Sequence, residues 1–226
     1  MAKGGSGIGS RGGRGKVITD YDGSTIDMSH APLEYGKSDK AMSNQVRDAI
    51  DKFEERRAQA KVEYAYMVDQ DGNEIVEKRG GKGSVRTLIT DWMKASTFSH
   101  IHPREAGVLG GTFSDQDFDS FLKHPNVGTM RAAAKEGVYS MSRGKGFNGN
   151  AFKNWVKQKG GALKSEFTKA AKSLESQYRS GQITYDVYAQ RYNREFNKYL
   201  SDRHKMLLSG QKQFGYHYTL ERRSKK

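Results

Sequence analysis

Apolar positions recur first at helical spacing. Val46, Ile50 and Phe53 are separated by 4 and 3 residues, which puts them on one face and predicts a helix over Ser43 to Ala60 with Ser43 as its cap. The pattern then shortens. Val62 to Val68 and Ile75-Val76-Glu77 read as strands on either side of Asp71-Gly72, a pair that favours a hairpin turn. Val85 to Met93 is expected to form a second helix, Ala95 to His102 a buried strand, Ser114 to Leu122 the start of a further helix, and Gly137 to Met141 another strand. Together these predict an α+β core of roughly 100 residues, a mixed β-sheet flanked by helices. From Asn150 onward the spacing is helical again, with two long helices broken at Ser180-Gly181. Along the second, Tyr185, Tyr188, Tyr192, Phe196, Tyr199 and Leu207 fall on one face, and Lys and Arg cover the rest. No internal repeat is visible.

Composition narrows the classes. At 226 residues the chain can hold one domain with a substantial extension, or two small domains. The mean hydropathy of −0.87 implies a large solvated fraction. No apolar run approaches the ~20 residues of a membrane span, and the N-terminus lacks the apolar stretch of a secretory signal. With 0 Cys there are no disulfides, so a metal site must be built from His and carboxylates. These features lead us to expect a cytoplasmic protein. Met1 to about Lys40 is rich in Gly, Ser and basic residues and is expected to be disordered, either as a solubilising tail or as an arm that touches nucleic acid.

Charge divides the chain. Met1 to Met141 carries 20 Lys+Arg and 20 Asp+Glu, whereas Ser142 to Lys226 carries 19 and 6, so the whole net charge of +13 lies in the C-terminal part. We therefore expect a tail over 1–40, a metal-binding domain over 41–145, and a basic, aromatic-rich helical extension over 146–226, with the boundary near the Gly-rich stretch Arg143 to Gly149.

Candidate chemistry is concentrated in Ser99-His100-Ile101-His102-Pro103 and Ser114-Asp115-Gln116-Asp117. In a strand, residues i and i+2 share a face, so His100 and His102 can present two imidazoles to one metal ion. Asp117 would add a carboxylate and leave a fourth position open, as catalytic zinc requires. Ser114-x-x-Asp117 also matches a capping box, and a capped helix start would hold Asp117 rigidly. Glu63, charged at the start of an apolar run, reads either as an edge-strand charge that blocks aggregation or as a general base. Gly80-Gly81-Lys82-Gly83-Ser84 lacks the spacing of a phosphate-binding loop and reads as an ordinary loop. His124 reads as a helix end, while His30, His204 and His217 have no ligand-like neighbours.

Taken together, Glu63, His100, His102, Ser114 and Asp117 resemble the JAMM (MPN-positive, JAB-like) metalloprotease pattern: a glutamate on an early strand, His-x-His-Pro, then Ser-x-x-Asp. The surrounding stretch, about Val62 to Met141, is similar to the JAB-like domains of RadC proteins and of phage and toxin relatives. The resemblance implies a zinc-dependent hydrolase acting on a peptide or isopeptide bond. In it, His100, His102 and Asp117 hold the zinc, with Fe2+ or Mn2+ as other possible occupants. Glu63 is the general base and Ser114 a donor to the developing oxyanion. One departure stands out. Pro103 to Phe113 spans 11 residues, longer than the family usually shows, so this loop either bulges beside the metal or keeps Asp117 from reaching it.

The basic C-terminal region opens a second class of function. Its lysines either solvate the outer faces of a helical pair or attract nucleic acid or another polyanion by counterion release. The ending Gly215 to Glu221 faintly resembles C-terminal strands of phage head-morphogenesis and mobile-element proteins, which would place the protein in host cytoplasm or a virion. The competing readings are therefore a non-catalytic nucleic-acid-binding protein on a JAMM-like scaffold and a metal-dependent nuclease. Otherwise the expected partner is a protein or peptide substrate.

Overall fold

The computed structural model of the chain describes residues 17–19, 25–27, 33–37, 41–105 and 107–222. Most of the expected N-terminal tail lies outside the described residues. Within it, β1 (Val17–Thr19) and β2 (Thr25–Asp27) pair antiparallel.

Helix α1 (Asn44–Arg56) forms on the predicted stripe, and the Ser43 hydroxyl accepts from the Val46 N–H at 3.3 Å. The hairpin follows as β3 (Tyr64–Val68) and β4 (Glu74–Arg79). Next come α2 (Ile89–Lys94), β5 (Thr97–Ile101), α3 (Asp115–Lys123), β6 (Thr129–Ala133) and β7 (Val138–Arg143). Two long helices, α4 (Gly149–Arg179) and α5 (Tyr185–Phe214), lead to a final strand, β8 (Tyr216–Glu221). The expected helix over Val85 to Met93 is thus only partly formed. The segment before Ile89 is loop, and the Asp91 carboxylate accepts from the Leu88 N–H at 3.1 Å, starting the helix there.

The α+β expectation holds. Six strands form one mixed sheet in the order β4-β3-β5-β6-β7-β8, in which β5 and β6 are parallel and the other neighbours antiparallel. Alternation sends successive residues to opposite faces. Val46, Ile50 and Phe53 of α1 pack on one face against Tyr66, Val68, Ile101 and Ala133. Ala65, Met67, Phe98, Met130, Ala132, Tyr139 and Met141 face the other helices and form the main core.

The segment after residue 145 does not stand apart from this core. β8 pairs with β7 along its whole length, and Phe152, Val156, Leu207 and Phe214 of the long helices pack on the same sheet face. Outside the other edge of β8, the Gly36 N–H donates to the Leu220 carbonyl at 2.9 Å. Among the described residues no helix is long and apolar enough to cross a membrane.

Candidate metal centre

The site begins in the register of the sheet. His100 lies between Ala65 on β3 and Ala132 on β6, and these small neighbours leave room for an imidazole standing on the sheet. Phe98 stacks against it at 5.2 Å between ring centroids, and Phe113 closes in at 6.3 Å. His102 follows just beyond the strand, where its N–H donates to the Ala133 carbonyl at 2.9 Å and keeps it in the extended register. Pro103, which lacks an N–H, comes next.

Asp117 arrives from α3. The Ser114 hydroxyl accepts from the Asp117 N–H at 3.2 Å and donates to Asp117 Oδ2 at 2.7 Å, while the Ser114 N–H also donates to Oδ2 at 2.7 Å. The capping box is therefore present, and it fixes the carboxylate beside the histidines. The 11-residue loop does not keep Asp117 away. His100 Nε2 lies 2.9 Å from His102 Nε2 and 3.5 Å from Asp117 Oδ2. Ligand atoms of all three residues lie within 4.8 Å of one another.

This donor set fits a divalent cation. Zinc with ligands at about 2.0–2.1 Å in tetrahedral array needs donor atoms about 3.3 Å apart, and the observed 2.9 and 3.5 Å bracket that value. Protonation states agree. His102 Nδ1 lies 2.9 and 3.0 Å from the Gly110 and Gly111 carbonyls. A carbonyl only accepts, so Nδ1 carries a hydrogen and Nε2 is the nitrogen directed at the cluster. Burial holds His100 down to about 4, against an opposing pull from Asp117, which leaves its ring neutral at physiological pH. Burial pushes the Asp117 carboxyl upward, but His100, His102 and the Ser114 hydrogen bonds outweigh it and keep the group below the usual carboxylate range.

Compared with known proteins, the chain matches no family model, no curated protein and no solved structure. The site must therefore be read from its own geometry.

Glu63 shares a cavity of about 310 Å3 with His100, His102, Ser114 and Asp117. Burial raises its pKa, with His102 pulling it down and Asp117 pushing it up, so its proton affinity is tuned by the cluster itself. Backbone bonds hold it in place: the Glu63 N–H donates to the Gly81 carbonyl, and the Gly80 N–H returns to the Glu63 carbonyl, both at 2.8 Å. All five sequence candidates thus sit around one cavity. The glycine loop after β4 also lines it through Gly83 and Ser84.

Two residues not singled out in the sequence support the site. Glu136, in the β6–β7 turn, is buried and accepts from the Gly110 and Gly111 N–H groups, each at 2.8 Å, and from the Tyr139 hydroxyl at 2.6 Å. It clamps the two glycines whose carbonyls orient His102. Asn197 on α5 accepts from the Leu109 N–H at 2.8 Å and donates to the Gly107 carbonyl at 3.0 Å. The signal within reach was Gly110-Gly111. A Cβ at Gly110 would come within 2.7 Å of the Ala134 Cβ, and Gly111 has φ +79°. The other described histidines stay apart, His30 lying outside the described residues: His124 ends α3 and stacks on Trp92, His204 is buried against Tyr218, and His217 is exposed.

Proposed function

We propose that the protein is a metal-dependent hydrolase of the JAMM type that cleaves a peptide or isopeptide bond. The observation that supports it most is the convergence of His100 Nε2, His102 Nε2 and the Asp117 carboxylate in one cavity with Glu63. When bound, zinc supplies a Lewis acid that polarises a carbonyl and acidifies a water towards neutrality. Iron or manganese also suits these donors.

The chain's own groups do the rest. His100 and His102 offer their Nε2 atoms, and Asp117 offers a carboxylate. Glu63, its proton affinity raised by burial, accepts the proton of an attacking water and passes it to the leaving nitrogen. The Ser114 hydroxyl is directed at Asp117 Oδ2. From the same position the hydroxyl can donate to a substrate carbonyl oxygen as charge develops on it.

Elemental analysis of the purified protein beside the double variant His100→Ala/His102→Ala tests the site. About one zinc per chain is expected, and the variant should lose it. A wild type that holds no metal even after zinc is added back would overturn the reading.

A second reading draws on charge. The net +13 lies after residue 141, and Lys153, Lys157 and Lys159 are exposed near the start of α4. Salt-sensitive binding of DNA or RNA that survives Glu63→Gln would favour a polyanion-binding protein. Metal-dependent cleavage of the nucleic acid would favour a nuclease instead.

A further inference from the structure

A second cavity, of about 520 Å3, opens from the metal cluster on the side of the long helices. We propose that it is a binding pocket for an apolar side chain of the substrate next to the bond that is cleaved. This rests on the hydrolase reading and gives that site a substrate class.

Three residues, Glu63, His102 and Ser114, line both cavities. The metal cluster therefore stands at a junction, and a chain laid across it has one neighbour of the reacting carbonyl on each side. The two sides differ in character. Around the smaller cavity Ser84, Arg86, Thr87, Gln116 and Ser120 offer polar groups beside Val85, Trp92 and Phe98. The larger one has Val108, Leu109, Phe196 and Leu200 in its wall. Leu109 and Leu200 form a small apolar cluster of their own, with Phe196 and Tyr199 half-buried against it. Leu109 and Leu200 are buried, so the apolar surface left towards the cavity belongs to the half-buried Phe196 and Tyr199. Ligand pockets of about 300–1,000 Å3 are the usual size.

The pocket is held in shape. Asn197 ties Leu109 and Gly107 to α5 through both its amide atoms, so the loop wall and the helix wall are fixed to each other. Its charges do not select a charged ligand. Arg203 donates to the Phe113 carbonyl at 3.0 Å and to Asp115 at 2.6 Å, which commits the guanidinium before any substrate carboxylate arrives. Lys82 and Lys164 are matched around the lining by Glu63 and Glu105. The loop's unusual length and the helical pair thus have a shared purpose, to build the wall of a subsite.

The test uses zinc-loaded full-length protein and two metal-chelating probes, N-acetyl-leucine hydroxamate and N-acetyl-glycine hydroxamate, with affinities read by calorimetry. Removing a leucine side chain from water predicts a preference of about 10-fold or more for the leucine probe. Phe196→Ala should shrink that preference while leaving glycine hydroxamate as tight as in wild type. Val108→Phe, which fills the cavity rather than opening it, should reduce the preference without weakening the glycine probe. Equal binding of the two probes by wild type, or unchanged preference in both variants, would overturn the pocket alone. Failure of the zinc-loaded protein to bind either probe would overturn the hydrolase reading and the pocket with it.

Discussion

His100 and His204 are both buried imidazoles, and burial holds each down to about 4. Their partners separate them. His204 has Tyr218 Oη at 3.0 Å from Nδ1 and the Glu34 carbonyl at 3.3 Å from Nε2, so both its nitrogens are occupied within the fold. His100 instead directs Nε2 at His102 and Asp117. The contrast has a measurable consequence for stability. A histidine buried neutral leaves the unfolded chain to take up the proton first, as pH falls below about 6.5. The stabilisation by neutral His204 is therefore complete above that pH and is lost as pH drops towards 4, by about 3 kcal/mol at most. In urea unfolding between pH 7 and 4.5, wild type should lose more stability than His204→Gln, and equal slopes would refute the assignment. Glu63 yields a different test. Glu63→Gln keeps the shape and removes the proton acceptor, so zinc content should be unchanged while peptide cleavage falls about 10²–10⁴-fold.

Elements join through a few decisive contacts. Arg131 on β6 is fully buried and meets Glu54 of α1 through Nε at 2.8 Å and Nη2 at 3.0 Å, with Glu221 of β8 at 3.3 Å. Arg131→Ala would leave the Glu54 carboxylate buried without its cation, and chemical denaturation should show a loss of about 3–5 kcal/mol. The same residue explains why β6 was not foreseen. Its sequence Thr-Met-Arg-Ala-Ala is buried at every position although Thr129 and Arg131 alternate with apolar residues, and an arginine at its centre argues against burial unless its partners are known. α1 and the β3–β4 hairpin were legible because one carries an uninterrupted apolar stripe and the other an Asp-Gly turn. The His-His-Asp cluster was legible because strand parity aligns His100 with His102 and the capping box brings Asp117 to them. Glu136 was not, since it acts on backbone N–H groups of a loop, a role without a residue pattern. Its clamp on Gly110 and Gly111 predicts that Glu136→Gln raises the zinc dissociation constant about 10–100-fold, measurable by chelator competition. An unchanged constant in a folded variant would remove Glu136 from the site.

For the whole molecule, the charge boundary near residue 145 and the fold do not coincide. Composition reports which surface is basic, but it carries no information on strand pairing, and β8 returns from the far end of the chain to pair with β7. A chain ending at Gly215 should therefore lose the cooperative thermal transition of the full protein, whereas an independent extension would leave it intact. The parallel pair β5–β6 has a further consequence. Parallel neighbours need a long connection, and here that connection contains the loop and α3, with the two histidines at its origin and Asp117 near its middle. An ion shared by these three side chains would act as a stitch, closing the crossover on the strand from which it departs. Because the stitch exists only in the folded chain, zinc at 1,000 times its dissociation constant would add about 4 kcal/mol to stability. For a chain of this size that is a rise in melting temperature of about 10 °C. Heat resistance would then report ion capture directly, without any knowledge of a substrate.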